Sequence, residues 1–239
     1  MLLDFPVYTS TLDKVDFETT RVVNTINPHS YCISKKDKAF QTALMTSDVL
    51  LPDGIGIVWA EKVLNENSIK KIAGYDLFMH LMNRANEHNH RVFFLGASEQ
   101  TLQKIKTRAE QDYPMLEVHS FSPPYKTIFN EEDSKLMCDK VNNVKPHVLF
   151  VGMTAPKQEK WVSSNKNMLQ AGVICSIGAV FDFYAGTVKR PSQFWINLGL
   201  EWLPRLIREP KRLAKRNFVS TPKFILEVLW FKLFGKGIL

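Results

Sequence analysis

Hydrophobic and polar positions alternate along this chain in two rhythms. Short β-branched or aromatic runs at 21–25, 49–51, 91–95, 116–120, 147–151 and 173–177 read as strands. Between them, 37–45, 55–64, 75–87, 99–112, 131–142 and 156–169 place apolar residues at helical spacing. The stretch 76–88, with Leu77, Leu81, Met82 and Ala85 on one face, is the clearest case. Strands alternating with helices predict an α/β fold, a Rossmann-like, doubly wound, mostly parallel sheet.

Beyond Arg190 the rhythm breaks. Trp195, Leu198, Leu200, Trp202 and Leu203 crowd together with few charges, a basic segment follows, and the apolar run 222–234 closes the pattern. The sequence therefore divides into an α/β catalytic domain, 1–190, and a basic amphipathic helical appendage, 191–239. The final run is too short and too charged to span a bilayer. Its Phe and Trp content beside Lys223, Lys232 and Lys236 suits an interfacial helix on an anionic membrane, the alternative being a last helix docked on the protein's own core.

Charge sharpens this division. The net charge is +7, and the segment from Pro204 to Leu239, with nine Lys or Arg against two acidic residues, carries all of it. Such a block calls for an anionic partner. The three cysteines, Cys32, Cys138 and Cys175, are too scattered for a disulfide framework or a metal site. The opening residues lack a basic n-region, and no run of about 18 apolar residues occurs, so the expected location is cytoplasmic, peripheral on the inner face of the membrane.

Candidate chemistry gathers where strands give way to helices. Asp53-Gly54-Ile55-Gly56, Gly96-Ala97-Ser98 and Gly152-Met153-Thr154 each follow a strand. In doubly wound sheets ligands bind at the carboxyl ends of the strands. Asp53 has three readings from its place alone: general base, ribose ligand or helix N-cap. In the segment from Thr154 to Trp161, Pro156 and Glu159 suit the opening of a helix, whereas Gln158 is free to read hydroxyls or a base. A dinucleotide fingerprint does not fit, because Trp59 stands at the third glycine position and the acid precedes the loop. The six histidines show no metal-ligand spacing.

These residues, in order, resemble the WecG/TagA/CpsF glycosyltransferases, glycosyltransferase family twenty-six, from about Val22 to Arg216. The resemblance rests on Thr25-Ile26-Asn27, Leu51-Pro52-Asp53-Gly54, Ala73-Gly74-Tyr75-Asp76-Leu77, Phe94-Leu95-Gly96, the run Gly152 to Trp161, the run Gly178 to Gly186, and Gly199-Leu200-Glu201-Trp202-Leu203 followed by Arg205, Arg208, Pro210 and Arg212. It implies inverting transfer of N-acetylmannosamine or a related hexose from a UDP-sugar to a polyprenyl-diphosphate-linked sugar, in surface polysaccharide or teichoic acid synthesis.

The resemblance also assigns roles. Asp53 matches the base and Thr25 the catalytic pocket; Asn27, Gly54, Gly56, Gly74, Asp76, Gly96, Gln158, Asp182 and Arg190 fall at substrate-binding positions. Arg205, Arg208, Arg212 and Lys215 match the cations that face the acceptor diphosphate. Lys71 departs from the arginine many members carry, and Pro191-Ser192 replaces their Ala-Pro, which leaves the donor's identity open. No cofactor is called for. With no paired-aspartate motif, arginines rather than a metal are expected to hold the diphosphate.

The competing readings are a membrane-associated nucleotide-binding protein and a nucleotide-dependent dehydrogenase. A nucleic-acid partner would explain the basic tail but not the apolar, Trp-bearing run after it. Helical faces such as that of 75–87 serve either an internal core or a homo-oligomer.

Overall fold

The computed structural model describes residues 3–18 and 21–235. Six strands form one sheet in the order β2-β1-β6-β5-β3-β4, namely β1 Val22–Ile26, β2 Val49–Pro52, β3 Arg91–Gly96, β4 Glu117–Phe121, β5 Val148–Gly152 and β6 Val173–Ser176. Every pairing is parallel. The helices between them are α1 Pro28–Ser34, α2 Lys38–Met45, α3 Ile55–Asn65, α4 Gly74–Glu87, α5 Glu99–Asp112, α6 Glu131–Asn142, α7 Lys157–Asn165 and α8 Val180–Tyr184.

The sheet is parallel because its central strands are apolar on both sides. All of β5 is buried, and alternate side chains serve opposite cores. Phe94, Phe150 and Cys175 face α4, α5 and α8, with Leu77, Phe78, Leu102 and Phe181. Phe93, Leu95, Leu149, Val151 and Ile174 face α6 and α7, with Met137, Trp161 and Val162. Helices on both faces give the doubly wound arrangement. The connection from β3 runs outward to β4, whereas that from β5 runs the other way to β6. The crevice between these diverging connections lies at Gly96 and Gly152.

The tail continues as α9 Gln193–Asn197, α10 Trp202–Arg208, α11 Pro210–Lys215, a π-helical turn Arg216–Ser220, and α12 Thr221–Phe234. Of the two readings of the last helix, the structure shows docking on the protein's own core. Phe224 and Val228 are fully buried in a core with Ile26, Tyr31, Leu44, Leu50 and Ile57, so α12 is docked on the protein. Its opposite face leaves Leu226, Leu229, Trp230, Leu233 and Phe234 exposed. Among the described residues no helix is long and apolar enough to cross a membrane. Lys236 lies outside the described residues.

Candidate active site

The site grows from the carboxyl ends of β1 and β2. In register, Thr25 sits beside Leu51, and Thr25 is partly exposed where its strand neighbours are buried. Asn27 then turns the chain into α1: its side-chain oxygen accepts the His29 and Ser30 amides, both at 3.0 Å, while Ser30 Oγ accepts the Asn27 amide at 2.8 Å. That reciprocal cap commits Asn27 Oδ1 to the backbone. The Asp53 amide donates to Ile26 O at 2.9 Å, which ties the end of β2 to the end of β1.

Gly54 follows Asp53 with φ +98°, a conformation that favours glycine, and a side chain there would point into open space. Gly56 serves a different end, since a Cβ would come within 2.6 Å of Pro28 Cγ; its lack of a side chain lets α3 lie against α1.

Asp53 is surrounded by charge from distant parts of the chain. Burial is the largest influence on its carboxyl and raises its proton affinity above the ordinary range, Arg216 opposes this, Glu201 adds to it, and Lys71 and Arg205 oppose it. Lys71 Nζ donates to Glu201 Oε2 at 2.9 Å. Burial also pushes the Glu201 carboxyl upward, but the Lys71 hydrogen bond and the charges of Lys71, Arg205 and Arg190 outweigh it and hold Glu201 below the usual range. Two carboxylates thus sit among four cations, and three of those six groups, Glu201, Arg205 and Arg216, come from the tail.

The tail is tied down beside this cluster. His29 Nδ1 shares a hydrogen bond with Ser220 Oγ at 2.8 Å, and burial together with Arg216 and Lys215 lowers the His29 pKa. The Arg205 guanidinium lies 5.1 Å from the Phe183 ring centre. Arg208 is exposed and donates to Lys189 O at 2.7 Å. Lys215 is exposed. The Arg212 side chain lies outside what the structure describes.

A second group lines the ends of β5 and β6. Gly96, with φ +117°, must be glycine, because a Cβ would fall 2.6 Å from Gly152 O. A Cβ on Gly152 would strike the Phe181 ring at 2.4 Å. These glycines permit close backbone and ring packing at the crevice. Gln158, in the first turn of α7, is buried beneath the turn at Gly178. Glu159 lies in the first turn of α7, as its position suggested, but it is only 3% exposed, and burial pushes its carboxyl up to about 7. Pro156 stands at the N-cap rather than the first helical position.

The remaining expected residues bridge the two groups. Gly74 brings the start of α4 against Ile177 and Val180, beside the Gly178 turn. Asp76 caps that helix, accepting the Ala73 amide at 2.9 Å through Oδ2, and its Oδ1 lies 3.7 Å from Arg190 Nη2. Arg190 also stacks 4.0 Å from the Tyr75 ring centre. Asp182 Oδ1 accepts a hydrogen bond from Thr187 Oγ1 at 3.3 Å. Among the described residues no three His, Cys, Asp or Glu side chains are grouped as metal ligands.

The sequence reading singled out Asp53, Thr25 and Gln158 but did not pick out Lys71, Glu201, Arg216 or His29 as site residues. Glu201 lay within a quoted motif and Arg216 within the basic run; neither signal says which strand end the residue will reach.

The model of the glycosyl transferase WecG/TagA/CpsF family matches residues 5–237. The chain is 31% identical over 215 residues to an N-acetylglucosaminyldiphosphoundecaprenol N-acetyl-beta-D-mannosaminyltransferase of Bacillus subtilis (strain 168), covering 90% of this chain and 81% of the relative. A protein of the same name from Bacillus spizizenii is 32% identical over 205 residues, 86% of this chain and 77% of its own. One from Staphylococcus aureus (strain MW2) is 26% identical over 204 residues, 85% of this chain and 78% of its own. With a parallel sheet whose strand ends meet a charged helical tail, and a family match across nearly the whole of it, the chain is a glycosyltransferase and belongs to the WecG/TagA/CpsF family.

Proposed function

We propose that this enzyme transfers N-acetylmannosamine, or a related hexose, from a UDP-sugar to a polyprenyl-diphosphate-linked sugar with inversion, and that Asp53 is the general base. The observation that carries this is the Asp53 environment: a carboxylate at a strand end, desolvated and flanked by Glu201, yet within reach of Arg216, Lys71 and Arg205. Burial and Glu201 raise its affinity for a proton, which suits a group that must take one from an acceptor hydroxyl. The cations beside it are suited to a diphosphate, which arginine binds through paired N–H donors. The relatives' names specify a diphosphoundecaprenol-linked N-acetylglucosamine acceptor and a mannosaminyl group, and this supports the same chemistry here.

In this mechanism the donor nucleotide occupies the crevice by Gly96, Gln158 and Asp182. Arg205, Arg208, Arg212 and Lys215, joined by Arg216, meet the acceptor diphosphate, and Thr25 lines the pocket beside Asp53. Helix α12 rests its outer face on the anionic inner surface of the cell membrane, where the lipid-linked acceptor lies. The inner face of the same helix holds the tail against α1 and α3, so one element serves membrane contact and site closure. A screen of UDP-sugars against a short-chain lipid-diphosphate sugar, with products identified by mass spectrometry and Asp53→Asn as control, tests the assignment. Failure of every UDP-sugar to give a glycosylated lipid would overturn it.

A further inference from the structure

We propose that Glu159 is a positioning residue for the donor pocket, orienting the side-chain amide of Gln158, which in turn holds the turn between β5 and α7. The proposal rests on the donor site suggested above and adds a residue to it. Two hydrogen bonds fix the amide without ambiguity. The Met153 amide donates at 3.1 Å to Gln158 Oε1, and Gln158 Nε2 donates at 2.9 Å to Glu159 Oε1. A backbone N–H needs an oxygen opposite it and a carboxyl oxygen needs an N–H, so each end of the amide has one permitted partner. A flip would place N–H against N–H and oxygen against oxygen.

Two links therefore run from Glu159 through Gln158 to Met153, the residue just beyond the end of β5. The same amide borders the Gly178 turn beyond β6: the place a Cβ on Gly178 would occupy lies 3.5 Å from Gln158 Nε2 and 3.6 Å from its Oε1. Gln158 thus lies between the end of β5, which flanks the crevice, and the turn after β6, and its orientation governs which polar atom each turn meets.

Glu159 makes little sense as a stabilising charge. It is buried, its Oε2 has no hydrogen-bond partner among the described residues, and burial has pushed its carboxyl up to about 7. An unpaired buried acid is an unfavourable group that an apolar side chain would ordinarily replace. Among the described residues, the side chain it meets through a hydrogen bond is Gln158.

The test is UDP binding by calorimetry on the full chain, with thermal unfolding measured in parallel. Glu159→Met, similar in size but without an acceptor, should weaken UDP binding about tenfold while the protein stays folded. Glu159→Gln keeps a carbonyl oxygen for Gln158 and should restore binding to within about twofold of wild type. In a Gln158→Ala background, Glu159→Met should add no further loss, because its effect passes through the missing amide. Near-wild-type UDP binding by folded Glu159→Met, alongside weakened Gln158→Ala, overturns the positioning role and spares the donor site. Unchanged binding by Gln158→Ala overturns the placement of the donor and the proposal with it. If Glu159→Met does not fold, the Gln158 side-chain amide signals in nitrogen-15 spectra decide the matter. They should move with a midpoint near 7 in wild type and stay fixed in Glu159→Gln; no movement in wild type between pH 5 and 9 counts against the contact.

Discussion

Tyr31 Oη donates a hydrogen bond to Glu227 Oε1 at 2.8 Å, joining α1, beside the candidate base, to α12 near the end of the chain. Lys35 Nζ reaches the same oxygen at 3.2 Å, and the rings of Tyr31 and Phe224 meet edge to face at 5.1 Å. Glu227 is almost fully buried within an otherwise apolar contact. A buried ion pair adds little net stability, since desolvation offsets the attraction, but it penalises any other docking of the helix. The latch fixes where α12 sits, and with it Ser220 and Arg216.

Tyr31→Phe should therefore destabilise the protein by about 1–3 kcal/mol, the cost of leaving a buried acceptor short of a partner. The loss should be local first. Amide hydrogen exchange should speed up in α12 and the π-helical turn before it changes in β5 or β3. Uniform acceleration across the sheet would show that the tail is no separate closing unit.

Asp53→Asn should lower turnover by about two to four orders of magnitude, the usual scale of acid–base catalysis, with the fold retained. It should also raise thermal stability at neutral pH. The folded-state pKa of Asp53 lies above the ordinary value, so the wild type has full stability below the unfolded-state pKa and loses some as pH rises through the folded value. The advantage of asparagine should accordingly be absent near pH 3 and appear above about pH 4. Thermal unfolding across pH for both proteins checks the sign; equal melting temperatures at every pH would mean the site does not penalise the charge.

The sheet was legible because its strands are short runs rich in β-branched or aromatic residues, most of them continuously apolar at the sheet's centre, and each expected strand lies within a residue or so of the observed one. Helix α1 escaped the reading: it has only seven residues, and its buried positions include Ser30 and Ser34, which carry no apolar rhythm. The expected helix at 156–169 ends at Asn165, where the chain turns toward β6. Asp53 and Gly54 were visible because a strand, an acid and a glycine in succession make a local signal. Lys71, Glu201 and Arg216 make no such signal. Each is an ordinary surface charge in its own segment, and only the docking of the tail sets them around Asp53.

That convergence predicts opposite shifts from two substitutions. Glu201→Gln removes a negative charge that raises the Asp53 proton affinity and leaves Lys71 and Arg205 less neutralised, so the acidic limb of the kcat/KM profile should move to lower pH. Lys71→Met removes an opposing positive charge and should move that limb to higher pH. Steady-state rates across pH with a short-chain acceptor measure both. Shifts in the same direction would mean the limb reports a group other than Asp53.

Arginines and lysine around the site, rather than a divalent ion, are expected to neutralise the departing diphosphate. Activity should persist at undiminished rate after exhaustive chelation and should not rise with added magnesium or manganese. Loss in chelator with recovery on metal addition would show that the ion performs this task.

The membrane role proposed for α12 is best tested on its outer face. Removing the helix would strip Phe224 and Val228 from a core they share with Ile26, Leu44 and Ile57, so a truncated chain would confuse unfolding with loss of membrane contact. Leu226→Asp with Leu233→Asp changes only exposed positions, at 62% and 75% exposure, and should leave the melting temperature nearly unchanged. It should abolish flotation with anionic liposomes, because apolar insertion is the part of the attraction that salt does not screen. Lys223→Glu with Lys232→Glu should weaken flotation at low salt, on the scale of about 1 kcal/mol for each lost positive charge near the surface, and matter less as ionic strength rises. Arg205→Glu should instead reduce turnover with a soluble acceptor analogue, since its charge acts within the site, on Asp53, rather than on the membrane surface. Full flotation by the double aspartate variant would move the membrane contact to another surface of the enzyme.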